Sequence, residues 1–345
     1  MSLKLYFGGD WPRECEGFLY AMFSSIRETC PLLETVETRH MMVSDVDWLN
    51  ALVFSVFFNI THAGFTCQPS FDTLMCLSSM PKLQTLHADS VPWSPFVWGT
   101  ASLLDFPSLR HLHWPALHYG EVTTFLHRIQ LRGQTRKIET IKIINRDFDI
   151  AEFVGFLDVL RATCSMQILS SISLWSSSLD ENMIDLSPAL SLLFPLFDFS
   201  CIEVLEIDNL PIEFDDAFLA AASTAWPQLH VLRLTPLRLK ASGITLAGLA
   251  LLSVQSRCLE KLELDITNWS SNIPFPPVQG GNDIETTSLT LSVTINHPLN
   301  YYSMERMEWE MQGSAMQDEE KVAKIGIIRS IFPNAKVHYN WLYYR

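Results

Sequence analysis

Apolar positions along this chain follow two alternating periods. A short stretch of period two carries Leu or Ile at its first, fourth and usually sixth positions. A longer stretch of helical period follows, and the pair returns about every 30 residues. The short stretches read Leu109-Arg-His-Leu112-His-Trp114, Ile138-Glu-Thr-Ile141-Lys-Ile143, Ile202-Glu-Val-Leu205-Glu-Ile207, Leu229-His-Val-Leu232-Arg-Leu234 and Leu259-Glu-Lys-Leu262-Glu-Leu264. Leu83 and Leu169 anchor two more. Self-similarity at such a period predicts a solenoid, whose units bury their apolar faces by stacking on their neighbours.

Earlier strands are predicted at Leu33-Glu-Thr-Val36 and Val53-Phe-Ser-Val56, and a first one places Leu3, Leu5 and Phe7 inward. Later, Leu289, Leu291, Val293 and Ile295 alternate with polar residues, and Ala335-Lys-Val337-His-Tyr339 closes the sheet. Between strands, Phe153, Phe156, Leu157 and Leu160 fall at i, i+3, i+4 and i+7, with Asp149 and Glu152 placed as cap and third-position partner. Further helices are predicted over 18–28, 119–131, 215–225, 246–256 and 319–331. Strand and helix in alternation give an α/β array with a parallel sheet on the concave side and helices on the convex side. The reading is one array of about ten irregular repeats over 1–345, with insertions near 268–287 and 298–317. The first insertion is rich in Pro and Gly, and the second carries Tyr301, Tyr302 and Trp309.

The alternation also fixes which residues face outward. The outward rows are Thr85/His87/Asp89, His111/His113/Pro115, Thr140/Lys142/Ile144, Ser171/Ser173/Trp175, Val204/Glu206/Asp208, Val231/Arg233/Thr235 and Lys261/Glu263/Asp265. This surface is rich in His in its first half and acidic in its second. The expected ligand-binding residues are His87, His111, His113, Lys142, Trp175, Glu206, Asp208, Arg233, Glu263 and Asp265, with Trp175 as aromatic anchor and the carboxylates as charge partners. A solvated face is the competing reading for each of them. Three imidazoles, His87, His111 and His113, could supply a zinc site, but chance clustering on an exposed sheet is commoner, so neither metal nor cofactor is expected.

Net charge changes the range of partners. Lys and Arg number 24 against 38 Asp and Glu, a balance of −14, which disfavours nucleic acid and anionic membranes and suits a basic protein ligand. The longest apolar runs are too short to cross a bilayer and the first residues have no signal-peptide character, so a cytoplasmic or nuclear protein is expected. Seven cysteines without a CxxC pair fit a reducing compartment. Cys30, Cys164, Cys201 and Cys258, each just before a strand, are expected to pack as small buried residues. Neither a GxSxG elbow nor a GxxxxGK[ST] loop occurs, and enzymatic activity is not expected.

The LxxLxL strands joined by helices resemble leucine-rich repeats of the ribonuclease-inhibitor-like class, and more narrowly the repeat region of fungal F-box/leucine-rich-repeat proteins. The strand entries Cys30-Pro31-Leu32-Leu33, Met80-Pro81-Lys82-Leu83, Phe106-Pro107-Ser108-Leu109 and Trp226-Pro227-Gln228-Leu229 support it, as does Ile331-Phe332-Pro333-Asn334-Ala335. The resemblance implies a horseshoe-shaped leucine-rich-repeat solenoid that selects the substrate of an SCF-type ubiquitin ligase. An F-box upstream would dock on the ligase adaptor. Two departures stand against it. Where many such repeats carry Asn this chain has Leu117, Arg146, Ser177, Leu210, Leu237 and Thr267. An F-box is also not visible before the repeats, so either the chain is truncated or a partner covers that end. Two other readings stay open: a free-standing scaffold or decoy unrelated to ubiquitin transfer, and a GTPase regulator. The regulator would need a contact arginine, and Arg128, Arg132 and Arg136 read most simply as a solvated helix end.

Overall fold

The computed structural model describes residues 1–7, 12–40, 47–66, 69–89, 104–129, 135–177, 190–236, 243–265, 290–295 and 336–341, with 322, 326–327 and 330–331. Two compact units emerge, Met1–Leu179 and Asp180–Arg345. Among the described residues no helix is long and apolar enough to cross a membrane.

Among the described residues the first unit holds seven strands, β1 (Ser2–Phe7), β2 (Thr35–His40), β3 (His62–Phe65), β4 (Thr85–Ala88), β5 (His111–His118), β6 (Thr140–Asp147) and β7 (Ser171–Ser176), paired in chain order and all parallel. Its helices are α1 (Glu16–Thr29), α2 (Asp47–Val56), α3 (Phe71–Ser78), α4 (Tyr119–Ile129) and α5 (Ile150–Thr163). The second unit repeats the plan with β8 (Val204–Leu210), β9 (Val231–Pro236), β10 (Lys261–Asp265), β11 (Thr290–Ile295) and β12 (Lys336–Trp341), again parallel and in order. Its helices are α6 (Asp216–Ala225) and α7 (Leu246–Gln255), preceded by a 3₁₀ segment at Leu190–Asp198.

The inward anchors behave as the period-two pattern requires. Leu86, Leu112, Ile141 and Ile172 line up across the strands of the first unit and are buried, as are Leu205, Leu232 and Leu262 in the second unit. Each such side chain contributes roughly 1.5–3 kcal/mol by leaving water. Phe125 of α4 stacks on Trp114 of β5 with ring centroids 4.8 Å apart, and Tyr119, Phe153 and Phe156 close the layer between α4 and α5.

Strand entry has a common mechanism. In Cys30-Pro31-Leu32-Leu33 the Leu33 N–H donates to the Cys30 carbonyl, 3.1 Å, and Leu109 to Phe106 and Leu229 to Trp226 repeat the bond at 3.4 and 3.1 Å. Proline is thus the second residue of a β-turn, where its fixed φ is an advantage. Immediately afterwards one carbonyl receives two amides of the next strand. Glu34 O accepts from Thr61 and His62, Thr61 O from Gln84 and Thr85, Gln84 O from Arg110 and His111, Arg110 O from Glu139 and Thr140, and Glu139 O from Ser170 and Ser171. The second unit repeats this at Glu203 and His230.

Several expectations need correction. The segment Val53–Val56 is the end of helix α2, not a strand: Leu49, Leu52, Val53 and Val56 are spaced i, i+3, i+4, i+7 and all are buried. The strand in this repeat is β3, and α3 also went unrecognised. Asp149 does cap α5, accepting from Glu152 N–H at 2.9 Å. The Glu152 carboxylate, however, turns to the neighbouring helix, accepting from Gly120 N–H at 3.0 Å and lying 3.2 Å from His118 Nδ1. Arg136 is not solvated. It is 8% exposed, and its Nε donates to the Ile129 carbonyl at 2.6 Å. Burial lowers its pKa against the opposing pull of Asp105. Arg128 lies 5.9 Å from the Phe71 ring centroid, and Arg132 falls outside the described residues. Of the pre-strand cysteines only Cys164 is fully buried, its thiol pushed up to about 12 by desolvation, while Cys30, Cys201 and Cys258 are half-buried. The insertions 268–287 and 298–317 and most of 319–331 also lie outside the described residues.

Candidate binding surface

The outward rows fall into register. In the first unit Thr85, His111, Thr140 and Ser171 form one rung, and His87, His113, Lys142 and Ser173 the next. Ile144 and Trp175 form a third, with Pro115 beside Ile144. The surface so formed is not uniformly wet: His87, His111, His113, Lys142 and Trp175 are half-buried, whereas Ser173 and Pro115 are covered.

Neighbouring side chains on these rungs hold one another. The His87 and His113 rings stack with centroids 4.2 Å apart and 30° between planes, and His87 Nε2 lies 2.7 Å from Asp89 Oδ1. Lys142 Nζ stands 4.6 Å from the centre of the Trp175 ring, a cation–π contact worth about 0.5–2 kcal/mol. Burial, with further contributions from His87 and Lys142, drives the His113 pKa down to about 3, so this imidazole is neutral at physiological pH. His111 does not join the other two histidines. Its Nε2 lies 3.9 Å from Glu139 Oε2, and Glu139 also pairs with Arg110.

On the β1 side of the same rung, Glu37 forms ion pairs with Lys4 at 3.0 Å and Arg39 at 3.5 Å. It leans over Gly64, where a Cβ would meet the Glu37 Cγ at 2.8 Å. Gly64 therefore gives Glu37 its room beside the histidines.

The second unit carries the acidic rows. Glu206, Arg233 and Glu263 share a rung, and Asp208 pairs with Thr235 on the next. Arg233 bridges two carboxylates, Asp208 Oδ2 at 3.2 Å and Glu263 Oε2 at 3.4 Å, while the Thr235 hydroxyl donates to Asp208 Oδ1 at 2.6 Å. These three charged side chains are each less than a quarter exposed. Asp208 and Glu263 thus already have an internal cation, and the acidic excess is smaller than a list of outward residues suggests. Asp265 ends β10 opposite Thr294, and its side chain lies outside the described residues.

Sequence reasoning placed Asp89 in an outward row but gave it no role. The His87-x-Asp89 spacing, which puts imidazole and carboxylate on one face of a strand, was the signal available. No protein-family model matches the chain, and no curated protein matches it.

Proposed function

We propose that the chain is a leucine-rich-repeat recognition module that binds a protein ligand on its outward sheet faces. It is similar in role to the substrate-recruiting region of a fungal F-box subunit of an SCF-type ubiquitin ligase, acting in the cytoplasm or nucleus. The observation that carries this reading is the register of the outward rows, which sets unlike side chains side by side on rigid strands. Recognition of a folded or extended protein needs such a row: an aromatic anchor, charges to fix orientation and half-buried side chains already ordered. Trp175 with Lys142 is the anchor in the first unit. Glu206, Asp208 and Glu263, only partly offset by Arg233, favour a basic stretch of ligand in the second. No catalytic role is assigned to any residue.

The experiment is affinity capture from fungal extract with the tagged chain, a Trp175→Ala/Glu206→Lys/Asp208→Lys variant, and a control changed on the exposed side of α1, Glu28→Lys. Prey lost from the first variant and kept by the control identifies the ligand. Cullin and its adaptor recovered with all three forms supports the ligase connection. Variant-sensitive prey without ligase subunits favours the free-standing scaffold. Identical prey from all forms would refute binding through these faces.

A further inference from the structure

We infer that His87, Asp89 and His113 form a binding site for a divalent transition-metal cation of the zinc class on the outward face of the first unit. The three side chains come from two adjacent parallel strands whose backbone register puts His87 directly opposite His113. Asp89 follows His87 by two residues, and its N–H is fixed to the Phe65 carbonyl at 2.9 Å. One ligand atom from each of the three lies within 4.8 Å of the other two, the only such group of three among the described residues. Tetrahedral zinc, with bonds near 2.0–2.1 Å, requires its ligand atoms to stand roughly 3.3 Å apart. Closing from within 4.8 Å to that spacing would fall to the side-chain torsions of two histidines and one aspartate, the strand register already setting His87 opposite His113.

A second observation points to a ligand. The Nε2 atoms of both imidazoles are shielded from solvent and lack a hydrogen-bond partner. His87 Nε2 is close to Asp89 Oδ1, but not aligned to donate to it. A shielded imidazole nitrogen with no hydrogen bond, as at His113 Nε2, is costly unless something fills the space between it, His87 and the Asp89 carboxylate. A cation would do so. Two nitrogens and one carboxylate oxygen suit zinc, and three protein ligands leave a coordination position open toward solvent. The half-exposed Asp89 supplies the negative charge, and Lys142, directly beside His113 on the rung, opposes the cation. His111 is excluded because it is turned to Glu139.

The test uses the full chain freed of any polyhistidine tag and stripped with chelator, titrated with Co²⁺ by absorption and with Zn²⁺ by calorimetry. One equivalent per chain is expected. Asp89→Asn should weaken it by at least the roughly tenfold that loss of even an outer-shell partner costs, and His113→Ala should abolish it. His111→Ala should leave it unchanged, and Lys142→Met should tighten it severalfold. If His113→Ala fails to fold, the exposed Asp89→Asn decides. Absence of saturable binding, or binding indifferent to Asp89→Asn, overturns the site.

Discussion

Arg136→Ala should destabilise the first unit by about 3–5 kcal/mol, whereas Asp105→Asn should cost less than about 1 kcal/mol, although the two residues form an ion pair. The asymmetry follows from where each side chain sits. Arg136 is 9% exposed at its side chain and Asp105 is 64% exposed, with 3.6 Å between their charged atoms. Water screens the carboxylate, so its pairing is worth no more than a surface salt bridge. The guanidinium, by contrast, donates from Nε to the Ile129 carbonyl at 2.6 Å, with a weaker contact from Nη1 to Phe106 O at 3.5 Å. A hydrogen bond from a charged donor to a buried carbonyl contributes about 1.5–3 kcal/mol. Truncation to alanine also removes two methylenes of stem from the interior, about 1.6 kcal/mol. Arg136→Met keeps the stem and loses the bond, so it should fall between, at about 2–3 kcal/mol. Urea unfolding followed by circular dichroism, at constant slope, measures all three, and the melting temperature should fall about 2–4 °C per kcal/mol. A cost for Asp105→Asn equal to that of Arg136→Ala would show that the ion pair, not the carbonyl bond, holds the site. A cost under about 1 kcal/mol for Arg136→Ala would show that neither does.

Leu205→Asp and Leu232→Asp should each unfold the second unit, because each sets a carboxylate among side chains with no exposure to solvent; a melting curve unchanged by both would contradict the inward register. Arg233→Gln should make stability rise with added salt, since it leaves Asp208, Glu206 and Glu263 close together without their guanidinium, and a salt response equal to wild type would count against the bridge. The folded-state pKa of His113, about 3, lies below the ordinary value of 6.5, so the unfolded chain takes up the proton first. Its contribution to stability is complete above pH 6.5 and is lost as pH falls toward 3. In chelator-treated protein His113→Gln should flatten that part of the stability–pH curve, and an imidazole resonance of His113 that titrates near 6.5 would refute its burial.

The sheet was legible because parallel strands of one pattern repeat their register: once Leu112, Ile141 and Ile172 are recognised as equivalent, the outward neighbours follow. The Pro-bearing turns were legible for the same reason. Where a repeat lacks branched aliphatic residues the signal fails. β3 reads His62-Ala-Gly-Phe65, with a glycine required by Glu37 rather than by strand propensity, and the apolar run of α2 supports either period over so few residues. The pairing of side chains was less visible still. Glu206, Arg233 and Glu263 could be assigned to one rung, but rotamer choice decides that Arg233 reaches Asp208 and Glu263. Likewise Glu152 has a neighbouring helix within reach and spends its carboxylate there. Arg136 was misjudged because a charged residue near a helix end is usually wet, and only the tertiary packing supplies its carbonyl partner.

The carbonyl that receives two amides at each strand entry bears on how such a chain can change over generations. From Thr61 to Gln84 is 23 residues and from Glu139 to Ser170 is 31, yet both steps end in the same pair of bonds. Residues gained or lost between entries are therefore absorbed in loops and helices before the next strand is reset. Each rung can drift, lengthen its connection or be duplicated without disturbing the spelling of its neighbours, so the specificity of the face is free to be revised one position at a time.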